Sequence, residues 1–187
     1  MAIDFLESGL DIQNAGGSVE KTAGEKWKPS EHDYFKMNIF VITSLANAKA
    51  GVGVLVRDFS GSVIAALEQS FLASGDMLQR YAMAVLAALK FAFDMGLRCI
   101  DLEMESKELL GLLKGPGPCL AAVGNLVGDI LLVQKSFMFL KFSFVSKICN
   151  KTVQVLATEA LSSNNTQVWL EDCPACILSL VQFDFFQ

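Results

Sequence analysis

Between Lys36 and Leu67 the chain reads KMNIFVITSLANAKAGVGVLVRDFSGSVIAAL, three apolar, β-branched runs separated by two turn signals. Ile39–Thr43 is the first run and Val52–Val56 the second, with Gly51 and Gly53 at its start. Val63–Leu67 is the third. Leu45–Lys49 is small and polar enough to turn the chain, and Asp58-Phe59-Ser60-Gly61 has Asp first and Gly last, as a type I turn prefers. Three such runs joined by short turns predict an antiparallel meander.

Downstream the periodicity changes. Ser74-Gly75-Asp76 opens a helix that runs to about Met95 and stops at Gly96. It is almost wholly apolar from Ala82 to Phe93, as a helix covered on most sides would be. Cys99–Glu105 alternates: Ile100, Leu102 and Met104 face one way, and Asp101, Glu103 and Glu105 the other. That period of two is a strand. Ser106–Leu113 is a short helix closed by Gly115-Pro116-Gly117-Pro118, and Leu120–Gln134 is a further helix. Phe137–Val145 is a strand with Met138, Leu140, Phe142 and Phe144 on one face, and Asn150–Ser162 is a last helix. The order β-β-β-α-β-α-α-β-α predicts a mixed α/β fold. Its sheet should have five strands: the meander plus Ile100–Met104 and Met138–Phe144.

The ends read differently. Residues 1–33 hold several glycines and many charges without sustained periodicity, so they are expected to form a flexible arm, with Trp27 pinning its end to the domain. Residues 34–165 form the domain. Residues 166–187 are an apolar tail, too rich in Trp, Phe, Ile and Leu to hang in water, and are expected to dock on the domain or on a protein partner.

Composition narrows the function classes. Of 187 residues, 52% are hydrophobic and 19% charged, and the net charge is −5, which disfavours a strong non-specific polyanion binder but leaves room for a local basic patch. The N-terminus carries acids where a signal peptide needs a basic flank. No stretch approaches the ~18 uncharged apolar residues of a membrane helix. Five cysteines is an odd count without scaffold-like density, which suits a reducing compartment. An intracellular protein with no membrane partner is expected.

The element order and a series of local strings resemble the RNase H fold, specifically the plant retroelement-type RNase H domain associated with reverse transcriptases. The strings are WKP at Trp27–Pro29, KMN at Lys36–Asn38, AGVGVLVRDFSG at Ala50–Gly61 and LAALKFAFDMGLR at Leu86–Arg98. LEMES at Leu102–Ser106, VGNLVGDI at Val123–Ile130, NKTVQVLA at Asn150–Ala157 and VWLEDCP at Val168–Pro174 continue the series. The resemblance implies Mg²⁺-dependent cleavage of the RNA strand of an RNA–DNA hybrid, with carboxylates converging on two ions that activate water and stabilise the leaving oxygen. It also implies that the first and fourth strands lie side by side.

At the matched ligand positions the sequence departs from that pattern. They carry Phe40 on the first strand, Tyr81 on the long helix, Glu105 at the end of the fourth strand and Gln154 in the last helix. Glu105 is the only acid among them and the only expected, weak, metal ligand. The departure does not depend on register. No Asp or Glu occurs from Lys36 to Arg57, between Asp76 and Asp94, or from Asn150 through Ala157. The single histidine, His32, precedes the domain and reads as a linker residue. The expectation is therefore a catalytically inactive RNase H-like module that binds nucleic acid or a protein, with no Mg²⁺ held. The alternative is an active hybrid ribonuclease using non-standard ligands, for which Asp101 and Glu103 are the nearest substitutes.

Other features have two readings each. Tyr81 either stacks a base or packs a helix. Arg57, Arg80, Lys107, Lys147 and Lys151 either line a hybrid-binding surface or are scattered surface cations. Cys173-Pro174-Ala175-Cys176 has redox or zinc spacing, but a second ligand pair is absent and no βαβ start precedes it, so two plain thiols are expected.

Overall fold

The computed structural model describes residues 26–46, 48–117 and 122–185. The expected arm therefore lies mostly outside the described residues, as does the start of the Leu120–Gln134 helix. The elements are β1 (Phe35–Ser44), β2 (Lys49–Arg57), β3 (Val63–Leu72), α1 (Met77–Asp94), β4 (Cys99–Met104), α2 (Lys107–Lys114), α3 (Gly124–Gln134), β5 (Phe139–Phe144), α4 (Lys151–Ala160), β6 (Gln167–Leu170) and α5 (Leu178–Phe185).

The sheet order is β5-β4-β1-β2-β3-β6. β1, β2 and β3 form the antiparallel meander, and β4 lies parallel to β1, pairing Ile39 with Met104. The first and fourth strands are thus neighbours, as the family resemblance requires. The five-stranded expectation needs correction: among the described residues there are six strands. Four residues of the tail, Gln167–Leu170, pair antiparallel with Ala65–Glu68 of β3. They do so because Trp169 opposite Ala66 packs on the apolar patch beneath α4, while the backbone satisfies the free edge of β3. Beyond it Ile177 and Val181 are buried in the same patch, so the tail docks on the domain.

Strand alternation sends side chains to two layers. Met37, Ile39 and Val41, with Val52, Val54, Val56, Ile100, Leu102 and Met104, face α1, α2 and α3 and form the larger core. Phe40, Leu55 and Ala66 face the other way, against Val153 and Leu156 of α4 and the tail. β5 is less buried than its alternation suggested: Phe142 is buried, Phe144 is partly exposed, and Met138 lies outside the strand in solvent.

Helix ends follow local chemistry. Asp76 caps α1 by accepting from the Gln79 N–H at 2.8 Å, and the Gln79 side chain accepts from the Asp76 N–H at 3.0 Å, a reciprocal capping box. Gly96, at φ 81°, ends that helix as its sequence position suggested. Ser106 caps α2 through the Leu109 N–H. α4 sits unusually close to β2. A Cβ at Gly51 would collide with the Ala157 carbonyl, and one at Gly53 with the Val153 carbonyl. Those two glycines therefore set the height of α4 above the sheet, and with it the placement of Asn150 and Gln154. No helix among the described residues is long and apolar enough to cross a membrane.

Candidate functional site

Glu105 follows the last residue of β4 and immediately precedes the α2 cap, so its side chain leaves the sheet at the C-terminal end of the β1–β4 pair. The fold brings α4 over it. Gln154 Nε2 donates to Glu105 Oε1 at 2.8 Å, and Asn150 Nδ2 donates to the same oxygen at 2.9 Å. Each amide has a second anchor: Asn150 donates to the Ile39 carbonyl at 3.1 Å, and Gln154 to the Lys147 carbonyl at 3.0 Å. The carboxylate therefore ties β4, β1 and α4 together through neutral donors.

The other matched positions surround this knot. Phe40 lies one residue beyond Ile39, the β1 residue paired with Met104, and its half-buried ring packs against the apolar layer beneath α4. Tyr81, on α1, is 6% exposed. Burial, and then the negative charge of Glu105, push its phenol well above the usual range, against a hydrogen bond with the Val41 backbone. The structure thus brings Glu105 and Gln154 into contact, with Tyr81 close enough to sense the carboxylate and Phe40 beside them. The base-stacking reading of Tyr81 fails, because the ring is packed in the core.

Two Mg²⁺ ions need several oxygen lone pairs turned toward one point. Here amide N–H groups point at the one carboxylate, a phenyl ring and a buried phenol stand nearby, and among the described residues no three His, Cys, Asp or Glu side chains converge as a metal site. The residues present do not fit the pair of ions.

Asp101 and Glu103 are not substitutes either. They lie on the α4 side of β4 at alternate positions before Glu105, but both are already compensated. Lys36 Nζ sits 2.7 Å from Glu103 Oε1 and 3.6 Å from Asp101 Oδ2. Asn38 Nδ2 donates to Glu103 Oε2 at 2.9 Å, and Ser143 donates to Asp101 at 3.2 Å. Trp27 joins the network by donating from Nε1 to Asn38 Oδ1 at 3.0 Å, which pins the segment before β1 to the sheet as expected. Sequence reasoning missed this ribbon and missed Asn150. The available signal was the pair of polar residues, Lys36 and Asn38, at alternate positions of an otherwise apolar strand.

The cations expected at the surface divide into two groups. Arg57 is 1% exposed, bonded to Asp184 of α5 at 2.7 Å and stacked 3.3 Å from the Trp27 ring centroid. Its burial lowers its pKa, and the Asp184 hydrogen bond and charge oppose that. Arg80 is spent on Thr43 and on the Ser74 and Gly75 carbonyls. Lys107, Lys147 and Lys151 are exposed. Lys107 is near Glu105 in the chain, Lys147 holds Gln154 by its carbonyl, and Lys151 follows Asn150. The thiols of Cys173 and Cys176 are both pushed up, by burial first and by neighbouring acids second, the reverse of a nucleophilic or zinc-binding pair.

A family model described as reverse transcriptase-like matches residues 41–160. Among solved structures, the chain is similar to RNase H1 of the halophilic archaeon Halobacterium salinarum NRC-1, at 20% identity and a TM-score of 0.63, over 69% of this chain and 98% of that one. It is also similar to the N-terminal RNase H domain of a Mycobacterium tuberculosis protein, at 18% identity and 0.59, over 69% and 94%. LC11-RNase H1 in complex with an RNA/DNA hybrid matches at 15% identity and 0.60, over 68% and 96%. At these identities the likeness shows the fold. No curated protein sequence matches.

Proposed function

This chain belongs to the reverse transcriptase-like family, and on that premise we propose that it is an RNase H-like module that engages nucleic acid without cutting it. The observation that carries the reading is Glu105. The one acid at a matched ligand position spends an oxygen on two amide donors, Gln154 and Asn150, and has Phe40 and Tyr81 for neighbours instead of carboxylates. Mg²⁺ would have to displace those donors and would find a single anion, too little charge to hold two mutually repelling ions.

Binding does not depend on those ligands. Phosphate contacts come from cations and backbone N–H groups, and exposed Lys107, Lys147 and Lys151 lie near Glu105 or its amide donors in the chain. A hybrid is bound by LC11-RNase H1, a protein of similar fold. With a net charge of −5 the contact must be local, so affinity should fall steeply with salt.

The test uses labelled RNA–DNA hybrid with the purified chain, in Mg²⁺ and then in Mn²⁺. Binding at low salt without cleavage is expected, and Lys→Ser changes at 107, 147 and 151 should each lower the salt slope by about 1. Metal-dependent cleavage that disappears in Glu105→Ala would instead establish an active ribonuclease with non-standard ligands. Absence of hybrid binding at low salt would remove the nucleic-acid role.

A further inference from the structure

At the end of the sheet remote from Glu105, where β1 begins and β2 turns into β3, lies a cleft of about 360 Å³. It is lined by Asp33, Tyr34, Phe35, Asp58, Phe59 and Ile64: three aromatic rings, one aliphatic wall, two carboxylates and no cation. Neither carboxylate is exhausted by the protein. Asp58 binds its own turn through Oδ1, which accepts from the Ser60 N–H at 2.8 Å, the Ser60 hydroxyl at 2.7 Å and the Ser62 N–H at 3.0 Å. Among the described residues Asp33 is bonded only to the neighbouring ring of His32, which donates from Nδ1 at 2.8 Å, and both side chains are largely exposed.

His32 shows what chemistry this corner accepts. Its ring lies on Phe59, with centroids 4.3 Å apart, while its N–H reaches Asp33. A flat group bearing N–H donors thus rests on an aromatic face and donates to a carboxylate. A guanidinium has that shape, with five donors and a permanent charge. It stacks on aromatic faces and forks onto carboxylates where a lysine ammonium offers a point charge.

We propose that this cleft is a docking site for an arginine side chain carried on an exposed segment of a partner protein. The guanidinium would displace the largely exposed His32 ring from Phe59 and Asp33 and lie between Asp33 and the second oxygen of Asp58, with its alkyl stem along Ile64. Charge complementarity selects this occupant. The cleft pairs two acids with apolar walls, in a chain that is acidic overall. The site shares no residue with the Glu105 knot, so it stands whether or not hybrid is bound there.

The probe is a glycine- and serine-flanked heptapeptide with a central arginine, titrated into the full chain. The readout is the Ile64 methyl and the Tyr34 and Phe59 ring resonances. Saturable shifts at these residues are expected, with affinity at least about fivefold weaker when arginine is replaced by citrulline or by lysine. Asp33→Asn removes charge while keeping a residue that tolerates the φ of 75° found there, and Phe59→Leu removes the stacking face from a half-exposed position. Both variants should fold with unchanged melting and bind at least about fivefold more weakly. Equal binding of the citrulline peptide would reduce the cleft to an apolar groove, and equal binding of free spermidine would reduce it to a generic cation trap. Undiminished binding in both variants would place any arginine contact elsewhere. Each of these outcomes overturns the proposal.

Discussion

Glu103 and Glu105 are two residues apart on one strand direction and turn toward the same face, yet their surroundings differ in kind. Glu103 meets a buried cation, Lys36, and an amide, Asn38. Among the described residues, Glu105 meets two amides and no cation. The first arrangement is a charge pair taken out of water, in which each partner is costly without the other. The second is a carboxylate held by neutral donors at the mouth of the sheet, where losing the acid leaves each amide with its other acceptor. One pleat therefore separates a carboxylate that holds the fold from one that only trims it.

The largest test of this contrast is Glu103→Ala. It leaves Lys36, whose side chain is 8% exposed, with only the longer 3.6 Å contact to Asp101, and should cost about 3 kcal/mol in denaturant unfolding. A loss below ~1 kcal/mol would show that the pair is solvated and the contrast mistaken. Next comes an attempt to make Glu105 into a ligand in earnest. The double change Phe40→Asp with Tyr81→Glu restores two carboxylates beside it. Stabilisation by Mn²⁺ at ten times its Kd should then reach about 1.4 kcal/mol, against none in the parent. No metal-dependent rise in Tm would mean that the backbone around the site has drifted along with its ligands. Glu105→Ala should cost only about 1 kcal/mol, because Asn150 keeps the Ile39 carbonyl and Gln154 keeps that of Lys147.

The smallest effect concerns Glu68, a buried acid on β3 whose contact with Gln167 is a long 3.3 Å. Burial first, and the charge of Glu159 second, raise its pKa above the ordinary 4.5. An acid whose pKa is raised by folding binds its proton more tightly in the folded state, so stability is lost as pH rises through the folded value. Glu68→Gln should match the parent in unfolding free energy near pH 4 and exceed it at pH 7, by less than about 1 kcal/mol. A constant offset across that range would assign the effect to packing rather than ionisation.

Much of the frame was written locally. The Asp58 turn, the Asp76–Gln79 cap, the stop at Gly96 and the alternation of Ile100, Leu102 and Met104 each depend on neighbours within a few residues, and all could be read from the chain. Positions 40, 81, 105 and 154 came from the family resemblance rather than from any local signal, and of these the structure brings Glu105 and Gln154 into direct contact. β6 could not. Its four residues are too few to show a period, and only the open edge of β3 makes them a strand. Asn150 and the Lys36–Glu103 pair escaped for a related reason. The bond from Asn150 to the Ile39 carbonyl and the Lys36–Glu103 ion pair both join residues far apart in sequence. Only the crossing of α4 over β1, and the pairing of β1 with β4, makes them neighbours.

Arg57 has a consequence of its own. Its guanidinium is gripped by Trp27 from the segment before β1 and by Asp184 from the helix after β6. Two stretches at opposite ends of the described chain thereby share one fastening, and the polypeptide closes into a loop without a covalent bond. Fraying at either side should loosen the other. A fusion, tag or cut placed near one of them would report its disturbance at a distance, as faster amide exchange in the partner stretch.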